Sequence, residues 1–392
     1  MQVSNMVAPF NRISTSRIST IVLGMVIVLA SIALAVYSQQ GNRFDWTPDG
    51  FKYARMMLMD RGVSEEAADV ATREFYRTKA TTVKDLSLFS ANPPDFFRQS
   101  ANLFRGRLVY PYIASLLYPR FGFQALHIVS ALAYIFAVFI MYVMLLPFAS
   151  PWIAAFGALT FAATGTVRLL SGSDSTDVLG LMFWMLILII MIQFVSSGKL
   201  LWLALFALVC ILLVFTRPII FLPLGGSLAV VVLGALTRNR GFTRNGFLLT
   251  GIVVIVGITY LASHFPGARE QLRWYYQWQT EAHYWPLTSF PSFYIHYVTR
   301  AFGFETRHLF ADGLVPIVAV ATLAFYLHRR EPVTAILVGG CVAALTVFFV
   351  NPHEPELRWG FEMPLMPALT VGFVMAVTSL LRVRALALAR AA

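Results

Sequence analysis

Runs of about twenty apolar residues recur along most of this chain, and they restrict its fold more than any single motif does. A bilayer core about 30 Å thick takes roughly 17–25 such residues as one helix, because the backbone finds no water there to bond with. Ten spans are predicted, over residues 18–37, 124–147, 152–168, 178–195, 200–216, 218–236, 247–263, 311–327, 333–350 and 364–381. The expected fold class is an all-α polytopic membrane protein, with residues 1–392 forming a single transmembrane domain of about 10 transmembrane helices. Composition agrees, with 58% hydrophobic and only 12% charged residues, where soluble domains carry about 25% charged.

Two cysteines, Cys210 and Cys341, lie inside apolar runs, which leaves neither a disulfide framework nor a cysteine metal cluster. The formal net charge of +11 comes from basic residues that flank hydrophobic runs. That pattern sets orientation against anionic lipid, so no nucleic-acid partner is inferred. The first run follows Arg12 and Arg17 and contains Ala33 and Ala35, a small-residue pair like that of a signal-peptide cleavage site. It is longer than a usual signal core, and a retained anchor is expected.

A cytoplasmic N-terminus makes every later loop predictable. The short loops assigned inside then carry Lys199, then Arg238, Arg240 and Arg244, then Arg329 and Arg330, and the tail carries Arg382, Arg384 and Arg390; their only acid is Glu331. This obeys the positive-inside rule and puts both termini in the cytoplasm. Three segments then face outward: a first extracytoplasmic loop over 38–123 with interfacial helices, an aromatic-rich loop over 264–310, and a last hairpin over 351–363. The expected chemistry sits there.

In the first loop Thr47-Pro48-Asp49 has the form of a helix start: a cap, a proline at the first helical position, and an acid near the positive end of the dipole. Phe51, Ala54 and Leu58 then share one face. A second helix starts at Ser64 with Glu65 and Glu66 in its first turn, and Asp69 precedes Arg73 by four residues, the spacing of a helical ion pair. Asn92-Pro93-Pro94 interrupts the chain. Leu108 to Leu117, before Tyr118-Pro119-Arg120, is too short to cross and is read as a helix lying along the outer leaflet.

Asp45 and Asp49 lie just beyond the first span, followed by Tyr53. A carboxylate at the membrane surface can take a proton from an acceptor hydroxyl, although Asp49 serves equally as a charge on a helix N-terminus. Arg105 and Arg107 precede the leaflet helix, Arg217 sits between two spans, and Arg358 lies in the last hairpin. Guanidinium groups gathered at one membrane face can hold a lipid phosphate through forked bonds. Snorkelling to headgroups explains any one of them alone, least readily Arg217, bracketed by Phe215 and Pro218. Arg168 and the run Ser171-Gly172-Ser173-Asp174-Ser175-Thr176-Asp177 are read first as capping the next span, with Asp177 a candidate to support the site. The aromatic loop includes Trp274, Tyr275, Trp278, Tyr284 and Trp285, a set that fits a headgroup-level belt or a stacking surface for a sugar or prenyl chain. The histidines show no metal-ligand spacing. The last hairpin packs His353, Glu354, Glu356, Arg358, Trp359 and Glu362 between spans, charge that demands partners or a wet cavity.

Taken together, these features resemble the GT-C-type membrane glycosyltransferases that use polyprenyl-phosphate-linked sugars. The resemblance covers nearly the whole chain. It rests on Asp49-Gly50 with Tyr53 after the first span, Arg107-Leu108 with Pro111, Asp177 opening a span, Thr216-Arg217, and Arg358-Trp359 followed by Pro364 and Pro367. The resemblance implies Asp49 or Asp45 as the catalytic acid of the first loop and Arg358 and Arg217 around the donor phosphate, to which the grouping of guanidinium groups at one membrane face adds Arg107. Tyr53, Asp177, Arg168, Trp359 and Glu362 then support substrate or these groups. It further implies inversion by single displacement, with a polyprenyl-phosphate sugar as donor and a glycan, lipid or protein as acceptor. No organic cofactor is called for, and a divalent metal ion is left open, with Asp45 either supporting Asp49 or binding that metal. The chain departs from the family in having Gly50 where Glu is frequent, Trp359 where Tyr is frequent, and no soluble C-terminal domain. Two other classes compete: a transporter or flippase of lipid-linked intermediates, and a non-catalytic membrane assembly subunit.

Overall fold

The structure is a computed structural model and describes residues 17–41, 46–79, 88–90, 104–264, 290–311, 314–346 and 363–391. Among them the principal helices are α1 (Arg17–Gly41), α2 (Pro48–Met59), α3 (Glu65–Lys79), α4 (Val109–Phe121), α5 (Ala125–Leu145), α6 (Pro151–Ala163), α7 (Gly165–Leu170), α8 (Asp177–Ser197), α9 (Leu200–Thr216), α10 (Phe221–Leu236), α11 (Arg240–His264), α12 (Phe290–Ala311), α13 (Leu314–Leu327), α14 (Pro332–Ala344) and α15 (Met363–Ala391). No strand occurs among the described residues.

Among the described residues the ten apolar runs are mainly helical, that at 152–168 as two helices, while residues 312–313 and 347–350 of two runs lie outside the described residues. Five stretches are long and apolar enough to cross a bilayer by length and composition: Ile18–Gln39, Val109–Leu145, Asp177–Ser197, Arg240–Ser263 and Pro364–Ala385. The other apolar helices are shorter. At a rise of about 1.5 Å per residue, the 13 residues of α6 cover only about 20 Å. The surface carries broad apolar faces, such as Ile18, Ile21, Met25 and Leu29 on α1 and Phe247, Ile255 and Ile258 on α11, all exposed. Faces of that extent are stable against lipid and not against water, and this is an integral membrane protein.

Local chemistry sets the helix ends. Pro151 and Pro332 stand in the first turns of α6 and α14, where a missing N–H costs nothing. Gly198 closes α8 with φ 65° and bonds back to the Phe194 carbonyl, a left-handed cap that favours glycine. The run expected at 152–168 is not one helix: α6 stops at Ala163, Thr164 takes φ −58° and ψ 138°, and α7 restarts at Gly165. The cause is local, since Thr164 Oγ1 bonds the Phe161 carbonyl and thereby competes with helix continuation. Within the aromatic segment 264–310, residues 290–311 form α12, which packs on α13. Residues 265–289 lie outside the described residues.

The bundle is held by α10 against α14 and α11, α8 against α5 and α9, and α13 against α15, while α1 lies on α5 and α6. Gly225 and Gly339 make the α10–α14 crossing tight: a Cβ on either would meet the other's carbonyl oxygen at 2.3–2.4 Å. Helices in lipid associate through such close backbone approach. On one end of the bundle sit α2 and α3. Their aromatic residues interlock, with Trp46 edge-on to Phe75, Tyr76 and His127 at 4.7, 5.4 and 4.3 Å between centroids. The buried Phe51, Ala54 and Leu58 face inward as expected.

Candidate functional site

Thr47 caps α2 as its sequence predicts: its backbone is extended, its Oγ1 accepts from the Gly50 N–H at 2.9 Å, and Pro48 follows. Asp49 therefore stands in the first turn. Its side chain is 42% exposed, and Lys52 Nζ, one turn on and itself buried, is 3.8 Å away. Lys52 also lies over the Phe104 ring, 4.1 Å from its centroid, a cation–π contact.

Tyr53 is fully buried behind Asp49. Its hydroxyl accepts from Arg107 Nη1 at 2.8 Å and lies 3.1 Å from Thr176 Oγ1. Arg107, in the turn before α4, covers the same Phe104 ring from 4.4 Å. Burial opposes the Arg107 charge, but Tyr53 and Asp49 outweigh it and hold the guanidinium firmly protonated. Burial pushes the Tyr53 phenol up, against the pull of Arg107. Gly106 explains how the end of α11 joins the group, since a Cβ there would sit 2.4 Å from the Tyr260 hydroxyl. Tyr260 in turn lies edge-on to Phe215, two residues before Arg217.

The capping role read for residues 171–177 is met in part, by Ser175, whose Oγ accepts from the Asp177 N–H at 3.4 Å. Thr176 is the residue before α8, and its side chain makes no capping bond. Instead the loop reaches outward. Asp174 is completely buried. Its Oδ1 accepts from the Thr47 N–H at 2.9 Å and the Thr47 hydroxyl at 2.7 Å, and its Oδ2 accepts from the Tyr76 hydroxyl at 2.6 Å. Burial pushes the Asp174 carboxyl up to about 7, although the Tyr76 and Thr47 bonds pull it back down. Asp177 forms an ion pair with Arg217, with Gly180 leaving room for the arginine stem.

Segments far apart in the chain thus converge on one end of the bundle. Asp49, Tyr53 and Arg107 form one connected group, Asp177 and Arg217 a second, and the 174–177 loop touches both. Arg168 lies in α7. Arg105 is exposed. Asp45, Arg358, Trp359 and Glu362 lie outside the described residues, as do residues 351–362 of the last hairpin. Asp174 and Lys52 were missed as site residues. The one sequence signal for Asp174 was Gly50, a glycine packed directly on that carboxyl.

Among the described residues no three His, Cys, Asp or Glu side chains converge as metal ligands. The carboxylate that packs on Gly50, Asp174, has both oxygens occupied by O–H and N–H donors. The described residues do not by themselves fit a metal site, and no step is routed through one. An apolar cavity of about 180 Å³, lined by Met144, Phe148, Ile189, Leu337 and Val371 among others, lies toward the opposite ends of α5 and α8 and touches none of the residues above. Comparison with protein-family models and with curated proteins finds no match to this chain.

Proposed function

We propose that this membrane protein is a glycosyltransferase moving a sugar from a polyprenyl-phosphate-linked donor to a glycan, lipid or protein acceptor on the extracytoplasmic face. The proposal includes ten crossings, both termini in the cytoplasm, and α4 at the outer membrane surface. The observation that carries it is the half-exposed Asp49 carboxylate beside two cations, the buried Lys52 and the half-buried Arg107, on a membrane-embedded scaffold. The resemblance to GT-C enzymes in motif order adds to this.

In the proposed reaction the acceptor oxygen attacks the anomeric carbon from the face opposite the phosphate. The acceptor O–H proton passes to Asp49, the new C–O bond forms as the bond to the phosphate oxygen breaks, and the configuration inverts. The carrier leaves as a phosphate monoester anion. Its growing charge is met by Arg107 and by Arg217, whose orientation Asp177 sets; Arg358 is the further candidate for this role. Fixed charges of this kind act most strongly where water is excluded.

The test is transfer by the purified protein given a polyprenyl-phosphate sugar and candidate acceptors. Asp49→Asn removes the proton acceptor and keeps the shape, and it is expected to lower turnover by about 100-fold or more at unchanged expression. Wild-type turnover in that variant removes Asp49 as the base. Lipid flux into vesicles without a covalent product replaces the enzyme with a flippase.

A further inference from the structure

We infer that Asp174 is a positioning residue that sets the place of Asp49, with its loop acting as the strut that spaces the carboxylate from the arginine grips. This rests on Asp49 being the base of the proposed transfer. The geometry is unusual in touching Asp49 from both sides without touching its carboxylate. Thr47, two residues before, gives Asp174 both its backbone N–H and its hydroxyl. Gly50, one residue after, is packed so closely that a Cβ there would fall 1.7 Å from Asp174 Oδ2. The backbone of Asp49 is therefore gripped on both flanks while its side chain points to the partly open rim. Tyr76 closes the same carboxyl from α3, so one buried side chain ties two outer helices to the bundle.

The rest of the strut serves the other groups. Thr176 meets the Tyr53 hydroxyl that Arg107 also binds, and Asp177 holds Arg217. Within four consecutive residues the loop thus fixes the base, the Tyr53–Arg107 pair and the Arg217 corner. Support held in this way keeps reacting groups at their working separation, which is where small misplacements are most costly.

The experiment compares Asp174→Ala and Asp174→Asn in the purified full chain. Asparagine can keep the clamp, with Oδ1 accepting from Thr47 and Nδ2 donating to the Tyr76 hydroxyl; alanine cannot. Amide exchange at Gly50 to Tyr53 is expected to rise about tenfold or more in Asp174→Ala and to stay within about threefold in Asp174→Asn, as expected for losing bonds to a buried carboxyl. Turnover should fall about tenfold or more in Asp174→Ala with the donor KM changed less than about threefold, and Asp174→Asn should restore it. Unchanged exchange at the start of α2 in Asp174→Ala overturns the clamp, whether or not the wild type transfers sugar. Raised exchange with wild-type turnover overturns the positioning role. An inactive wild type with raised exchange in the variant refutes the transferase and leaves Asp174 as the anchor of α2 only. If Asp174→Ala does not fold, Tyr76→Phe, which deletes one donor to Asp174 and leaves the Thr47 cap on the Gly50 N–H in place, must show raised exchange at the start of α2 or the inference fails.

Discussion

Gly50→Ala sets two physical effects against each other, and the structure decides the sign. Within a helix alanine is favoured over glycine by about 0.8–1 kcal/mol, so propensity alone makes the variant more stable. The added methyl would lie 1.7 Å from Asp174 Oδ2, 2.0 Å from Cγ and 2.5 Å from Oδ1, where carbon atoms rest at about 3.5–4.0 Å. The carboxyl has nowhere to yield, being fully buried and held by three bonds of 2.6–2.9 Å. Overpacking of this kind costs about 1–3 kcal/mol, and each bond to a charged group lost by displacement costs about 1.5–3 kcal/mol more. With one or two bonds lost, the net effect is a destabilisation of about 1.5–8 kcal/mol after the propensity gain is subtracted. Thermal unfolding of the detergent-purified protein, followed by far-UV circular dichroism, reads it directly. The double variant Gly50→Ala with Asp174→Gly makes room for the methyl and should melt higher than the sum of the single effects allows. An alanine variant that melts at or above the wild type refutes the contact and the reasoning with it.

Two further outcomes follow from the buried charges. The Asp174 carboxyl moves from an ordinary 3.8 to about 7 in the fold, so between those values the native state holds a proton that the unfolded chain has lost. Stability therefore falls as pH rises from about 4 to about 7, by roughly 4 kcal/mol in all, and is flat above. Asp174→Asn, which cannot titrate, should lose that slope in denaturant midpoints measured across this range. Arg217→Met leaves the 12% exposed Asp177 without its guanidinium, a loss of about 3–5 kcal/mol, whereas pairing it with Asp177→Leu should recover most of the melting temperature. Equal melting of the single and double variants refutes that ion pair.

What the sequence made legible was what local chemistry determines. The cap, proline and acid at Thr47-Pro48-Asp49 produced the start of α2, Ser64 accepts from the Ala67 N–H at the start of α3, and Asp69 pairs with Arg73 at 2.8 Å. Among the described residues the apolar runs are mainly helical because a buried backbone must satisfy itself. Partners supplied by tertiary contact were not legible. Asp174 looked like one more capping acid among serines, and its partners, Thr47 and Tyr76, lie in the first loop, with no spacing to announce them. The break at Thr164 was hidden by uniform hydropathy on either side, and α12 by aromatic residues that suit a loop at the headgroups as well as a helix. Gly50 read as a departure from a motif; in the structure it is the condition for Asp174 to be where it is.

Because one short peptide ends in Asp174 on one side and Asp177 on the other, the rim bearing Asp49 and the corner bearing Arg217 are two teeth of a single jaw. They cannot part to admit a bulky headgroup without tearing bonds from a buried carboxyl. If the proposed donor binds there, cross-linking α2 to the loop after α7 should leave its turnover unhindered.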